Sequence, residues 1–254
     1  MSDTQNLQIS KKNWVGAWVP QHTAKLIKAG IENGTAPFLP NNGQLNPSVI
    51  YNVNTGHCLE AKDLIPVQLT KIEKGYESNV VGTFKSASKA GTTLKPGEKG
   101  VYYNFVQENG QYGHNAYYFG EQMENPEAFS NYAKKHNWQP QNLKNEMLTI
   151  TSPDVAEYLG TYVAACKSGA KVEVSPEIAE QFKKNMLAIA SNELIKTQAA
   201  KNPDLPKMTD LLFDIEKKSS SFVKSVEKEK GIAQKNVPVK KHERKVEKEI
   251  SQSF

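Results

Sequence analysis

At 254 residues, 38% of them apolar and 23% charged, the chain is long enough for one large or two small folds with real cores, and no apolar run approaches the ~20 residues that span a bilayer. Two widely spaced cysteines, Cys58 and Cys166, exclude a disulfide framework and a structural zinc cluster, and the polar start MSDTQNLQIS excludes a cleavable secretory signal, so a cytoplasmic protein is expected. The formal net charge of +5 matches the excess of eleven basic over six acidic residues between Glu216 and Glu249, leaving the rest of the chain neutral.

Residues 1–10 are polar and read as disordered. Lys12 to Gly34 carries a helical pattern, with Trp14 and Trp18 four apart on one face and a second stripe of Leu26, Ile27, Gly30 and Ile31 after the interruption at Pro20. The tryptophans read as core or lid residues. Ala36 to Pro47 is a loop rich in Pro, Asn and Gly; Pro37 stiffens it ahead of Phe38, whose ring suits stacking on a base and filling a hydrophobic gap equally well. Val49 to Val53 reads as a strand followed by the turn signal Asn54-Thr55-Gly56, and Ala61 to Glu73 as a short helix.

Thr83 is expected to cap a helix over TFKSASK, closed by Ala90 and Gly91, whose amide groups would form an anion site beside Lys85. Leu94 to Gly100 follows as a tight turn with Pro96 and Gly97 at its centre, and Val101 to Val106 as a strand that pairs with Ala116 to Phe119. Val101, Tyr103 and Phe105 share one face of that strand and Tyr102, Asn104 and Val106 the other. One face must be core; Tyr102, flanked by Gly100 and Asn104, marks the wetter one.

Lys85, Lys89, Lys95 and Lys99 thus precede an aromatic strand at short intervals. Ammonium groups neutralise phosphates and planar rings stack on unpaired bases without reading their identity, as a single-strand nucleic-acid binder requires. Charge is segregated to match: seven lysines against four acids between Lys62 and Lys99, then four acids and no lysine between Glu108 and Glu127. Arg244 is the sole arginine, and bidentate readout of guanine edges relies on guanidinium groups, so sequence-specific duplex recognition is disfavoured. On residue chemistry alone the same pattern also fits an ordinary α+β domain with solvated lysines.

Four segments, IENGTAPF at Ile31–Phe38, NTG at Asn54–Gly56, TFKSA at Thr83–Ala87 and LKPGEKG at Leu94–Gly100, occur in this order and spacing. Together they resemble the N-terminal domain of ArdC-type antirestriction proteins of conjugative plasmids, a module also similar to the start of some plasmid primases. The resemblance covers about residues 10–106 and implies a single-stranded DNA-binding domain of low sequence specificity. The family usually has Trp where Phe38 stands, an aromatic near Val81 and an Asn within Ala61–Asp63. With these in view, the residues expected to meet DNA are Phe38, Tyr51, Lys62, Phe84, Lys85, Lys89, Lys95, Lys99 and Tyr102.

From Pro126 the pattern is helical: Pro126–His136, then Ser152–Ser168 and Ser175–Ala200, the last two opened by Ser-Pro pairs suited to N-cap and N1. Glu216 to Phe254 reads as a solvated helix or disordered arm. Full-length relatives in the family carry a zinc metallopeptidase domain with an HExxH helix. HERKV at His242–Val246 has Val at the second histidine, so it cannot hold zinc as that motif does. His57 beside Cys58 is a poor ligand pair, GQYGHN at Gly110–Asn115 lacks a following helix, and neither GxSxG nor a P-loop is present. No catalytic residue, metal or cofactor is expected, and the chain is read as a non-enzyme.

The expected fold class is α+β: a small antiparallel sheet with flanking helices, then a helical C-terminal region and a charged tail. The expected divisions are 1–10, a DNA-binding domain over 11–124, a helical region over 125–215 and the tail over 216–254. The expected partner is single-stranded DNA, in conjugation or antirestriction, with no membrane association. The competing reading is an interaction module or inhibitor that clasps a host or element-encoded protein through the helical region or tail.

Overall fold

The computed structural model describes residues 19–106, 112–134 and 146–229. Over these the chain runs through helix α1 (19–32), strands β1 (Gln44–Leu45) and β2 (Tyr51–Asn52), helix α2 (Ala61–Lys74), strand β3 (Val80–Gly82) and helix α3 (Phe84–Lys89). Strands β4 (Val101–Val106) and β5 (Tyr112–Phe119), helix α4 (Pro126–Lys134), strand β6 (Met147–Ile150), helix α5 (Val155–Ser168), strand β7 (Lys171–Val174) and helices α6 (Pro176–Glu193) and α7 (Met208–Glu229) follow. Trp14, Trp18, the His242–Val246 segment and the tail beyond Glu229 lie outside the described residues.

The fold is α+β, but with two small mixed sheets in place of the single antiparallel sheet expected. In the first, of order β2-β3-β5-β4, only the β2–β3 pairing is parallel. The second, of order β1-β7-β6, joins β6 to a parallel β7 through the crossover helix α5 and adds β1 antiparallel to β7, Leu45 opposite Val172. Leu148, Ile150, Val172 and Val174 alternate with exposed residues and point into the core, the period-2 pattern of a one-sided sheet.

α2 is buried nearly all round its first half, from Ala61 to Leu69, because it lies between the first sheet and α7. Its start has no cap from its own N-cap residue Glu60; instead the Ala61 N–H donates to Glu216 Oε2 of α7 at 2.7 Å, and Glu216 Oε1 accepts from Lys167 Nζ at 2.5 Å. One carboxylate therefore fastens α7, α5 and α2 together, and it is most favourable beside the positive end of a helix.

Packing crosses the expected divisions at 124/125 and 215/216. One continuous core links residues from both sides of 124/125: the Phe38 ring packs edge-on against Tyr162 and Phe182, and Tyr162 Oη donates to Gln68 Oε1 at 3.3 Å. The 215/216 boundary falls inside α7, where Ile215 and Ser219 are both fully buried. The expected Ser152-Pro153 start of α5 is displaced two residues, Asp154 Oδ1 accepting from the Glu157 N–H at 3.0 Å, whereas Ser175-Pro176 opens α6 as read.

Candidate nucleic-acid interface

The first sheet has an inner and an outer face. Val101, Tyr103, Tyr117 and Phe119 face inward onto α2 and the main core, with Tyr103 stacked on Tyr117 at 4.2 Å. The outer face carries a separate small cluster of Val53, Ala87, Met123 and Phe129, against which Leu94 and Tyr118 pack. α3 and α4 cover the β3 side of this outer face, and β5 and the edge strand β4 form a ledge beyond them.

α3 forms where Thr83 permits it. The Ser86 N–H donates to Thr83 Oγ1 and the Thr83 N–H to Ser86 Oγ at 2.9 Å, closing a capping box. The box turns inward two of the donors that the sequence offered to an anion, so the helix start is closed from within. Ser86 and Ala87 are buried beneath the helix, leaving Phe84 and Ser88, and Lys85 and Lys89, as neighbouring i, i+4 pairs on its exposed surface.

The Lys95–Glu98 turn is built as Pro96-Gly97 dictates: Gly97 sits at φ +83, a left-handed backbone natural to glycine, and the Glu98 N–H donates back to Lys95 O at 3.3 Å. Gln122, 2% exposed, fixes the turn from below. Its Nε2 donates to Glu98 Oε2 at 2.8 Å and Lys99 O at 3.0 Å, and its Oε1 accepts from the Phe119 N–H at 3.0 Å. A Cβ on Gly100 would lie 2.7 Å from Tyr117 O and 2.9 Å from the Tyr118 ring, so only glycine lets the turn enter the sheet this closely.

The expected contact residues divide. Phe84 is 59% exposed and Tyr102 38%, and with the exposed Lys85, Lys89, Lys95 and Lys99 they belong to the outer face and its adjoining turn. Lys95 Nζ donates to Glu121 O at 2.8 Å and so braces the turn. Among the described residues, Lys85, Lys89 and Lys99 carry no ion pair and no side-chain hydrogen bond, a state they share with other surface lysines such as Lys25, Lys74, Lys184 and Lys207.

Three expected contacts lie away from this helix, turn and strand. Phe38 has no exposed surface and is part of the core, so it cannot stack on a base. Lys62 lies on α2, on the inner side of the sheet, where its ammonium pairs with Glu60 Oε2 at 3.1 Å and sits 5.9 Å over the Phe213 ring. Burial would lower its pKa, but that pairing and the nearby Asp63 outweigh it and leave the ammonium held above its ordinary value. Tyr51 stands on β2, three strand spacings or about 14 Å across the sheet from β4. It is half-buried, and burial, then the neighbouring Cys58, push its hydroxyl up to about 12.

Residues that the sequence alone left unassigned complete the face. Tyr118 follows inward-facing Tyr117, so the strand period points it outward beside Gly100, and strand alternation alone was a sufficient signal. Asn54, Ser86 and Gln122 are scaffold, and their bonding cannot be read from sequence separation.

Beneath the sheet, Asp63 on α2 is 7% exposed and bonded by the Tyr117 hydroxyl. Burial, reinforced by Glu60 and Glu216 and opposed by Lys62 and Tyr117, pushes its carboxyl up to about 7. An unfolded Asp titrates near ~3.9, so between about pH 4 and 7 the folded chain binds this proton more tightly and stability falls as pH rises. Asp63→Asn is expected to remove that decline, which is on the order of 4 kcal/mol. Thermal melts of both proteins from pH 4 to 8 check this, and parallel curves would refute it.

Residues 17–137 match the family model for the N-terminal domain of anti-restriction factor ArdC. No curated protein matches the chain. The metal-free crystal structure of the antirestriction protein ArdC from plasmid R388 aligns over 80% of this chain and 98% of its own, at 13% identity and a TM-score of 0.43. The Mn(II)-bound structure of that protein aligns over 82% and 89%, at 14% identity and a TM-score of 0.35. Among the described residues, no helix is long and apolar enough to cross a membrane.

Proposed function

Residues 17–137 are an ArdC-type N-terminal domain, and from that premise we propose that the chain binds single-stranded DNA without reading its sequence, in an antirestriction role tied to a plasmid or related mobile element. One observation carries this reading: three exposed ammonium groups without a carboxylate partner among the described residues, Lys85 and Lys89 on α3 beside exposed Phe84 and Lys99 on the turn, adjoin the strand that carries exposed Tyr102. Unpaired lysines displace counterions from phosphates, and rings on a preformed sheet and helix stack on bases at little entropic cost. The lack of arginine on this face fits contacts that hold the backbone and leave base edges unread.

Binding, not catalysis, is the activity this face supports. A labelled oligonucleotide titrated at several salt concentrations tests it. The variant K85E/K89E/K99E is expected to flatten the slope of log affinity against log salt by about 2, at ~0.7 for each phosphate that is no longer neutralised, and so to weaken binding about 100-fold at 0.1 M salt relative to extrapolation from 1 M. Unchanged affinity and slope in this variant would end the proposal.

A further inference from the structure

Two of the sequence segments singled out above, NTG and TFKSA, meet in space. The Asn54 Nδ2 group donates to Ser86 Oγ at 2.6 Å across 32 residues, and the Asn54 N–H donates to Asn52 Oδ1 at 2.9 Å, which fixes the turn that presents the amide. Ser86 Oγ also accepts from the Thr83 N–H at 2.9 Å and lies 3.0 Å from Thr83 Oγ1. A hydroxyl has one donor and two acceptor positions. Here all three are used: the Thr83 N–H and the Asn54 amide fill the acceptors, and the hydroxyl proton goes to Thr83 Oγ1.

Ser86 is fully buried, so α3 is held to the sheet through this node and the small side chain of Ala87. A six-residue helix cannot set its own position, since helices this short are marginal in isolation. Asn54 Oδ1, by contrast, is buried with no partner among the described residues. A buried acceptor left unbonded costs stability, and an apolar residue in its place would avoid that cost. The asparagine is therefore placed for what its Nδ2 group does.

We infer that Asn54 is the positioning residue of the DNA-binding face: through Ser86 it sets the placement of α3, so that Lys85 and Lys89 meet successive phosphates together with Lys99 on the turn. The inference rests on the single-strand reading proposed above and assigns no DNA contact to Asn54 itself.

The test compares wild type, K85A/K89A, N54A and N54A/K85A/K89A, each titrated with labelled oligothymidylate across salt concentrations. K85A/K89A should flatten the salt slope by about 1.4 and weaken binding about 25-fold at 0.1 M salt relative to extrapolation from 1 M. N54A should reproduce that flattening, and the triple variant should show nothing further, because the two lysines are already displaced. A merely structural role for Asn54 would lower the melting temperature and leave the slope of the folded protein at the wild-type value.

If K85A/K89A matches wild type, the DNA reading of this face fails; if K85A/K89A flattens the slope and N54A does not, the positioning inference alone fails. Should N54A not fold, Asn54→Ser, whose hydroxyl is too short to reach Ser86, supplies the same comparison.

Discussion

Replacing Phe38 with Ala is expected to cost about 3–5 kcal/mol of stability and to leave the oligonucleotide affinity of the folded protein unchanged. The ring has no exposed surface. It meets Tyr162 at 6.2 Å and Phe182 at 5.9 Å between centroids, both edge-on, and its own carbonyl accepts from Tyr158 Oη at 3.1 Å. Tyr158 is in turn stacked on Phe182 at 3.7 Å. Truncation therefore leaves a cavity among aromatic rings that have little freedom to collapse into it, and such sites fall at the costly end of large-to-small substitutions. Chemical denaturation measures the loss, and anisotropy titration under native conditions measures affinity. A large affinity loss with a small stability loss would return this ring to the DNA face.

Phe38 also marks the limit of what the sequence discloses. A stiff Pro-Phe loop reads the same whether the ring points outward or plugs a core, because the deciding neighbours, Tyr162 and Phe182, are more than 120 residues away. Signals carried within a few residues fared better. The Thr83 cap, the Pro96-Gly97 turn, the β4–β5 pairing and the outward face of Tyr102 all rest on local chemistry or on strand period, and the structure has each of them. Strands β6 and β7 escaped because four residues with two inward apolar side chains give too short a pattern to stand out between long helices. β1 exists only through its pairing with β7, a contact that no local pattern encodes. The lysines illustrate the same boundary. Lys62 and Lys85 are equivalent as letters, yet one lies beside Glu60 and over Phe213 while the other stands exposed.

Removing the two exposed rings together, as F84A/Y102A, is expected to weaken single-strand binding by about 2–6 kcal/mol, the ~1–3 kcal/mol per stacked base being summed over two bases. The salt slope should remain at its wild-type value, because neither substitution removes a charge. That separation of effects gives the double variant its force: lysine changes alter slope and affinity together, whereas ring changes alter affinity alone. Stability should move little, since Phe84 is 59% exposed on a short helix and Tyr102 38% exposed on an edge strand. Both rings are presented by fixed elements, α3 under its capping box and β4 in register with β5, so little ordering entropy offsets the stacking. Duplex DNA of the same sequence should bind the wild type far more weakly, because paired bases cannot reach these rings. Equal affinity of wild type and F84A/Y102A for the single strand would show that phosphates alone are held, and the ledge would then be an electrostatic surface without preference for unpaired bases.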